Sequence, residues 1–403
     1  MDIKQSQINI GTLGHIDHGK TSLVKSLTNI WTDRHSESIK RNMTIKLGYA
    51  DAIIRKCEKC EGASAYTIEK VCKKCGSVPK PVLRFSILDA PGHETLMATA
   101  ISGANIINGI LFIIAANEPC PMQQTREHLM IINLLGIKNA IIVQTKVDLV
   151  GKDKAVEHYK QIKEFIKGSE IENAPIIPSV PNRNINTDVI LELISKMNLP
   201  DFDLQADPLM YIARSFDVNK PGSAIDSLKG GVLGGTLIRG KLKVGDTISI
   251  LPGINRQKGK HSAYSEILTV IVGINTGTDD IEEARPGGLI GLATQIDPAL
   301  TKADSLVGMV LGHKGKMPKV SEEINAVYTQ LARNDIQATG FSKEEPIALS
   351  VGTATVLSYV SASKKNKVKI RFSHPVPVVK GTKMAVMRRI NHRLRLTGYA
   401  VME

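Results

Sequence analysis

The sequence predicts an α/β layer domain with a mostly parallel sheet, followed by two antiparallel β-barrels, and three observations carry that reading. Up to about Asp203, short apolar runs alternate with segments of helical period. From about Pro208 the chain changes to short β-branched stretches cut by Gly, Pro and Asp. A Gly/Lys/Pro-rich run, Gly312 to Lys319, then divides the β-rich part in two. The expected domains are therefore residues 1–204, 205–317 and 318–403. A chain of 403 residues, 42% hydrophobic, exceeds one compact core and carries no low-complexity tract, which agrees with two or three domains.

The first strand is expected at Ile8 to Gly11 and the first helix at Lys20 to Thr28. Val82 to Leu88, Ile110 to Ala115 and Ala140 to Gln144 are continuous apolar runs, as strands covered on both faces require. Between and after them, Thr95 to Gly103, Gln123 to Leu135, Lys154 to Ile166 and Asp188 to Met197 have the helical period that packs on such a sheet. In the β-rich part, Val244-Gly245-Asp246, Leu251-Pro252-Gly253 and Arg285-Pro286-Gly287-Gly288 are turn sequences. Strand-like segments resume at Glu323 and run to the end.

Fifty-two Lys and Arg against 39 Asp and Glu leave a net charge of +13, which suits a polyanionic partner, RNA first, although a basic surface also serves solubility. The excess is concentrated, since Ser361 to Glu403 holds eleven Lys and Arg against one acid, and this segment is expected to meet RNA backbone. Met1 to Ile10 lacks a basic stretch followed by an apolar core. The longest apolar run, Ile110 to Ala116, falls far short of the roughly 20 residues of a membrane helix, so a cytoplasmic protein is expected.

Gly14-His15-Ile16-Asp17-His18-Gly19-Lys20-Thr21 matches G-x-x-x-x-G-K-[ST] between a strand and a helix. Backbone N–H groups and the helix N-terminus there offer fixed positive charge to phosphates, Lys20 reaches the terminal phosphates, and the Thr21 hydroxyl can ligate Mg²⁺. A Gly-rich turn that merely joins strand to helix is the competing reading. Asp89-Ala90-Pro91-Gly92-His93 follows an apolar strand, so Asp89 stands beside that loop and can hold Mg²⁺ through water. Gly92 lets an N–H approach the terminal phosphate, and His93 stands where a hydrolytic water is oriented. Cys57, Cys60, Cys72 and Cys75 form two C-x-x-C pairs, whose four thiolates close a tetrahedral, structural Zn²⁺ site; a redox pair is the alternative. Cys120 is left over as a plain thiol.

These motifs together resemble the translational GTPases. Arg41-Asn42-Met43-Thr44-Ile45-Lys46-Leu47-Gly48-Tyr49, Arg214-Ser215-Phe216-Asp217-Val218-Asn219-Lys220-Pro221-Gly222, Leu228-Lys229-Gly230-Gly231-Val232 and Pro286-Gly287-Gly288-Leu289 narrow the likeness to the gamma subunits of archaeal and eukaryotic initiation factor 2, from about Ile8 to the C-terminus. The resemblance implies a P-loop GTPase domain with a zinc-knuckle insertion at about residues 55–80 and two β-barrels. It further implies GTP/GDP, Mg²⁺ and Zn²⁺ as ligands, and a GTP-dependent carrier of initiator methionyl-tRNA. Alpha and beta subunits and the small ribosomal subunit are its implied partners.

Carried over residue by residue, the resemblance makes Thr44 the switch threonine that joins Thr21 on Mg²⁺, with Asp17 and the Asn42 carbonyl near a second ion. His93, Asp17, Thr44 and Ile16, the last an apolar gate, form the implied catalytic set. The implied nucleotide set is Asp17, His18, Gly19, Lys20, Thr21, Ser22, Asp89 and Gly92, then Thr145, Lys146, Val147 and Asp148, and finally Ser179, Val180 and Pro181. Arg214 and Lys220 are the expected tRNA contacts. Three positions depart from the family: Asn42 replaces Gly, Thr145 replaces the Asn of Asn-Lys-x-Asp, and Val180-Pro181 replaces a Ser-Ala pair, with Ser179 adjacent. Asp148 still selects guanine over adenine, while Thr145 is too short for both bonds of an asparagine. Two other functions stay open: an RNA-binding subunit of a different class, whose hydrolysis is vestigial, and an elongation or selenocysteine-tRNA carrier, which shares this chemistry and differs in the tRNA chosen.

Overall fold

The computed structural model describes residues 3–32, 48–89, 101, 106–220, 222, 224–258, 261–277, 279–331, 333 and 340–403. Within them the chain forms two compact units, Met1–Pro200 and Asp201–Glu403.

The first unit is a seven-stranded sheet of β1 (Ile8–Gly14), β2 (Gly48–Lys56), β3 (Tyr66–Thr67), β4 (Lys80–Asp89), β5 (Gly109–Ala115), β6 (Ala140–Thr145) and β7 (Ile176–Pro178). Their spatial order is β3-β2-β4-β1-β5-β6-β7. Five strands run parallel, and β2 and β3 add an antiparallel edge. Among the described residues four helices with defined bounds accompany the sheet: α1 (Lys20–Thr28), α2 (Gln123–Leu135), α3 (Lys152–Ile166) and α4 (Thr187–Ser195). The expected apolar runs are four of the five parallel strands, β1, β4, β5 and β6, while the short, partly exposed β7 was not anticipated; every residue of β1 and β5 is buried. Leu23, Val24 and Leu27 of α1 pack with Ile8, Ile10, Phe85 and Ile87, a cluster in which each fully buried aliphatic side chain contributes roughly 1.5–3 kcal/mol. The β2 edge escaped the sequence reading because its alternation is weak. Of the helix expected at Thr95 to Gly103, only Ile101 lies within the described residues.

The second unit contains two barrels. The first uses β8 (Leu209–Phe216), β9 (Val232–Arg239), β11 (Thr247–Lys258), β12 (His261–Asn275), β15 (Leu289–Thr294) and β16 (Val310–His313). The order β11-β16-β8-β9-β15-β12 is closed by pairing of β11 with β12. Three short strands complete it: β10 (Leu242–Lys243) pairs with β14 (Glu283–Ala284), and β13 (Asp280–Ile281) lengthens the β12 edge. The second barrel closes in the order β17-β20-β19-β18-β21-β22, from β17 (Val320–Gln330), β18 (Glu345–Val351), β19 (Ala354–Lys364), β20 (Lys367–Pro377), β21 (Lys383–Ile390) and β22 (Arg393–Met402). In β20 the sequence Lys-Val-Lys-Ile-Arg-Phe alternates outward cation with inward hydrophobe, the period-2 pattern of a barrel wall. Tight contacts join the barrels: Thr353 Oγ1 donates to the Ile212 carbonyl at 2.7 Å, and a Cβ on Gly352 would stand 2.7 Å from the Tyr211 ring.

Candidate nucleotide site and cysteine cluster

The loop after β1 turns sharply at two left-handed residues, Asp17 (φ 58°) and Gly19 (φ 88°), before α1 begins. Such turns let successive backbone N–H groups face one side, as an anion cradle needs. Lys20 is buried, and its Nζ donates to the carbonyls of Gly14 (3.1 Å) and His15 (2.7 Å). Burial lowers its pKa to about 8, against the opposing pull of Asp89 and Asp17. Ile16 in this loop and Ser22 in the first turn of α1 are half-buried, and Asp17 is exposed.

Asp89, fully buried at the end of β4, is the hub. It accepts from Thr21 Oγ1 (2.7 Å), Thr12 Oγ1 (2.9 Å) and Thr32 Oγ1 (2.7 Å). Thr12 and Asp89 are register partners across β1 and β4. Thr12 and Thr32 were missed from sequence, since nothing in a lone threonine announces a partner 77 or 57 residues away. Asn42, Thr44, Gly92 and His93 lie outside the described residues.

Behind the loop, His18 is buried with Nδ1 3.1 Å from the Ile113 carbonyl and Nε2 3.2 Å from Glu118 Oε2. His128, from α2, accepts at Nδ1 from the Gly14 amide at 3.0 Å. Neither Glu118 nor His128 was singled out from sequence.

At the end of β6, the Thr145 hydroxyl donates to the His18 carbonyl at 2.6 Å, so the shorter side chain keeps one tie to the phosphate loop. Lys146 is left-handed (φ 55°) and Val147–Leu149 forms a 3₁₀ turn that presents Asp148 to solvent. Arg183 Nη2 stands 3.9 Å from Asp148 Oδ2, an exposed cation that sequence reading overlooked. Ser179 is buried, receives the line of β6 by donating its amide to the Gln144 carbonyl (2.9 Å), and donates its hydroxyl to the Ile185 carbonyl (2.8 Å). Val180 and Pro181 follow, both buried.

The four cysteine sulfurs converge, all within 4.8 Å of one another. Cys57 and Cys75 are 3.4 Å apart, Cys60 and Cys72 3.7 Å, and Cys60 and Cys75 3.8 Å. A tetrahedron with Zn–S bonds of about 2.3 Å has edges of roughly 3.8 Å, so the cluster is compatible with zinc, whereas a disulfide needs sulfurs about 2.05 Å apart. Ser77 closes the second knuckle: its carbonyl accepts the Cys72 amide at 2.8 Å, and its Oγ lies 3.0 Å from both Cys57 and Cys75 sulfurs. Cys120 stands apart, its thiol pushed up to about 12 by burial.

In the first barrel Arg214 Nε donates to Asp304 Oδ1 at 2.9 Å, and Lys220 is exposed. Asp217 and Asn219 hold the loop between them, Asn219 donating its amide to Asp217 Oδ1 at 2.8 Å. The C-terminal charge is partly spent within the fold: Lys367 pairs with Glu403 (2.7 Å), Lys369 with Glu323 (2.7 Å), Arg371 with Glu344 (2.5 Å) and Arg388 with Glu345 (2.6 Å). Lys364 and Lys365, at the β19–β20 turn, are exposed. No described helix is long and apolar enough to cross a membrane.

Residues 5–200 match the family model of the elongation factor Tu GTP binding domain, residues 230–312 that of elongation factor Tu domain 2, and residues 324–402 that of initiation factor eIF2 gamma, C terminal. The translation initiation factor 2 subunit gamma of Methanococcus maripaludis (strain C7) is 45% identical, with 98% of each chain covered. Those of Archaeoglobus fulgidus (44%; 99% of this chain, 95% of the relative) and Methanocaldococcus jannaschii (46%; 99% and 98%) are similar to the same degree. Among solved structures, a bacterial selenocysteine-specific elongation factor superposes with a TM-score of 0.75 at 23% identity, over 98% of this chain and 58% of that one. Elongation factor SelB from Methanococcus maripaludis with a GTP analogue gives 0.73 at 22%, over 99% and 79%. At such identities the likeness is one of fold.

The buried imidazoles set a pH dependence. Burial pushes His128 down to about 3, and also lowers His158 and His374. In the unfolded chain the same rings take up protons near about pH 6.5, so below that value the unfolded state binds more protons and stability falls, for His128 down to about pH 3. Denaturant midpoints should therefore drop between roughly pH 7.5 and 5.5, and equal midpoints would contradict this account.

Proposed function

The chain belongs to the family of translation initiation factor 2 gamma subunits, and from that premise we propose that it carries initiator methionyl-tRNA to the small ribosomal subunit with GTP bound. It is a translational GTPase that binds GTP and GDP. The observation that carries the site reading is the Asp89 carboxylate bonded to the Thr21 hydroxyl at 2.7 Å, beside the buried Lys20.

In this reading the loop amides and Lys20 bind the phosphates. A carboxylate and a hydroxyl side by side are the hard oxygen donors that suit Mg²⁺, so Thr21, and Asp89 through water, would hold the ion, with Thr44, Asp17 and the Asn42 carbonyl nearby. Bound there, Mg²⁺ neutralises phosphate charge. His93 orients the attacking water, and Gly92 meets the terminal phosphate by its amide. Asp148 accepts from the guanine N1 and N2 groups, and the Lys146 stem covers the base. With buried Ser179 in the serine place, the next amide is that of Val180, which carries an N–H where Pro181 has none, and this supports Val180 as the donor to guanine O6. Release of Thr44 on hydrolysis frees the tRNA, which Arg214 and Lys220 contact together with the basic C-terminal segment. Alpha and beta subunits complete the factor.

Retrieval of bound tRNA from the factor loaded with GTP or GDP, followed by sequencing, tests the carrier role. Initiator methionyl-tRNA should be enriched in the GTP sample, and enrichment of elongator or selenocysteine tRNA would replace the proposal.

The base loop is tested by two substitutions. Thr145→Val removes the hydroxyl from the His18 carbonyl and should weaken GDP and GTP alike, by roughly 2- to 13-fold for one lost hydrogen bond. Asp148→Asn should abolish preference for guanine over adenine nucleotides; titrations showing intact guanine selection would refute the assigned pocket.

For the cysteine cluster, we expect one zinc per chain by metal analysis, held by Cys57, Cys60, Cys72 and Cys75. A metal-free preparation that is fully folded and indifferent to chelator would overturn this.

A further inference from the structure

We propose that His128 is a positioning residue for nucleotide binding: its Nδ1 holds the Gly14 amide and, through Gly14, sets the place of the Lys20 ammonium. His128 belongs to α2, 114 residues along the chain from Gly14, and its side chain is wholly buried. Gly14 carries the link in both directions. Its N–H donates to His128 Nδ1 at 3.0 Å, while its carbonyl accepts from Lys20 Nζ at 3.1 Å, next to the His15 carbonyl that accepts from the same ammonium at 2.7 Å.

Gly14 cannot drift to the other side. It is the register partner of Ile113 on β5, and a Cβ at this position would stand 2.3 Å from the Ile113 carbonyl oxygen. The peptide is therefore trapped between β5 and the imidazole, and displacement of either moves the acceptor that holds Lys20. The bond requires a lone pair on Nδ1, hence a neutral ring with its proton on Nε2. Deep burial disfavours the imidazolium, and so do the charged or titratable groups that face it: Lys20, His15 and His18. An aliphatic residue would fill the same volume but leave the Gly14 amide bare in the interior. Asparagine places its Oδ1 one bond beyond Cγ, as histidine places Nδ1, whereas glutamine carries its carbonyl one bond further out.

The proposal rests on Lys20 as a phosphate ligand, so wild-type protein and Lys20→Ala are compared first: unaltered GDP binding by Lys20→Ala would sink that reading, independently of His128. Dissociation rates of fluorescent GDP and GTP are then measured at a temperature well below each variant's melting point. His128→Ala should release both nucleotides about 2- to 13-fold faster, the range for one lost hydrogen bond, with His128→Asn within about 2-fold of wild type. His128→Gln should resemble His128→Ala. Unchanged rates in a folded His128→Ala protein would make the ring mere packing and overturn the proposal. So would a His128→Asn protein as fast as His128→Ala. Should His128→Ala fail to fold, the Asn and Gln variants decide, and slower release from Gln than from Asn would overturn it.

Discussion

One buried carboxylate organises the first unit. Asp89 has no exposed surface, and a charge removed from water at that depth is tolerated only where hydrogen-bond donors surround it. Three threonine hydroxyls do so, from β1, from the first turn of α1 and from the segment after α1. That one group ties the strand before the phosphate loop, the helix after it and the strand that ends in the Asp-Ala-Pro-Gly-His motif. The direction of the Thr21 hydroxyl, and with it the oxygen donors proposed for the metal, follows from the same arrangement.

A second layer of ties passes behind the loop, where Thr145, His128 and the His18–Glu118 pair fasten it from β6, from α2 and from the segment between β5 and α2. At position 145, where the family pattern has asparagine, threonine still reaches the loop. A hydroxyl at 2.6 Å from the His18 carbonyl performs the one bond that its reach allows. Each such tie is worth about 0.5–1.5 kcal/mol, and their joint effect is to hold the loop in one geometry before any phosphate arrives.

The second unit distributes its charge differently from the raw count. Cations on the outward face of β20 sit opposite carboxylates of β17, the C-terminus and the segment before β18, so Lys367, Lys369 and Arg371 meet acids supplied from elsewhere in the chain. These are exposed pairs, worth about 0–1 kcal/mol apiece, and a polyanion can still compete for them. The turn lysines Lys364 and Lys365 project beyond that surface.

Much of this protein was legible from residue order, because the relevant signals are short-range. A strand covered on both faces must be apolar throughout, a phosphate loop needs its glycines and lysine at fixed spacing, and two C-x-x-C pairs place four thiolates on two turns. The β1–β4–β5–β6 core, α1, α2, the barrel texture and the convergence of Cys57, Cys60, Cys72 and Cys75 all follow from such local rules. What the order of residues left open lies in contacts across long separations. Thr12 meets Asp89 only when β1 and β4 align, Thr32 only when the segment after α1 returns to the end of β4, His128 meets Gly14 only when α2 packs behind β1, and Ser77 reaches two sulfurs only when both knuckles close. Single threonines, histidines and serines have no periodicity to betray them, so their partners are chosen by the tertiary fold, which alone brings a donor and an acceptor within three ångströms.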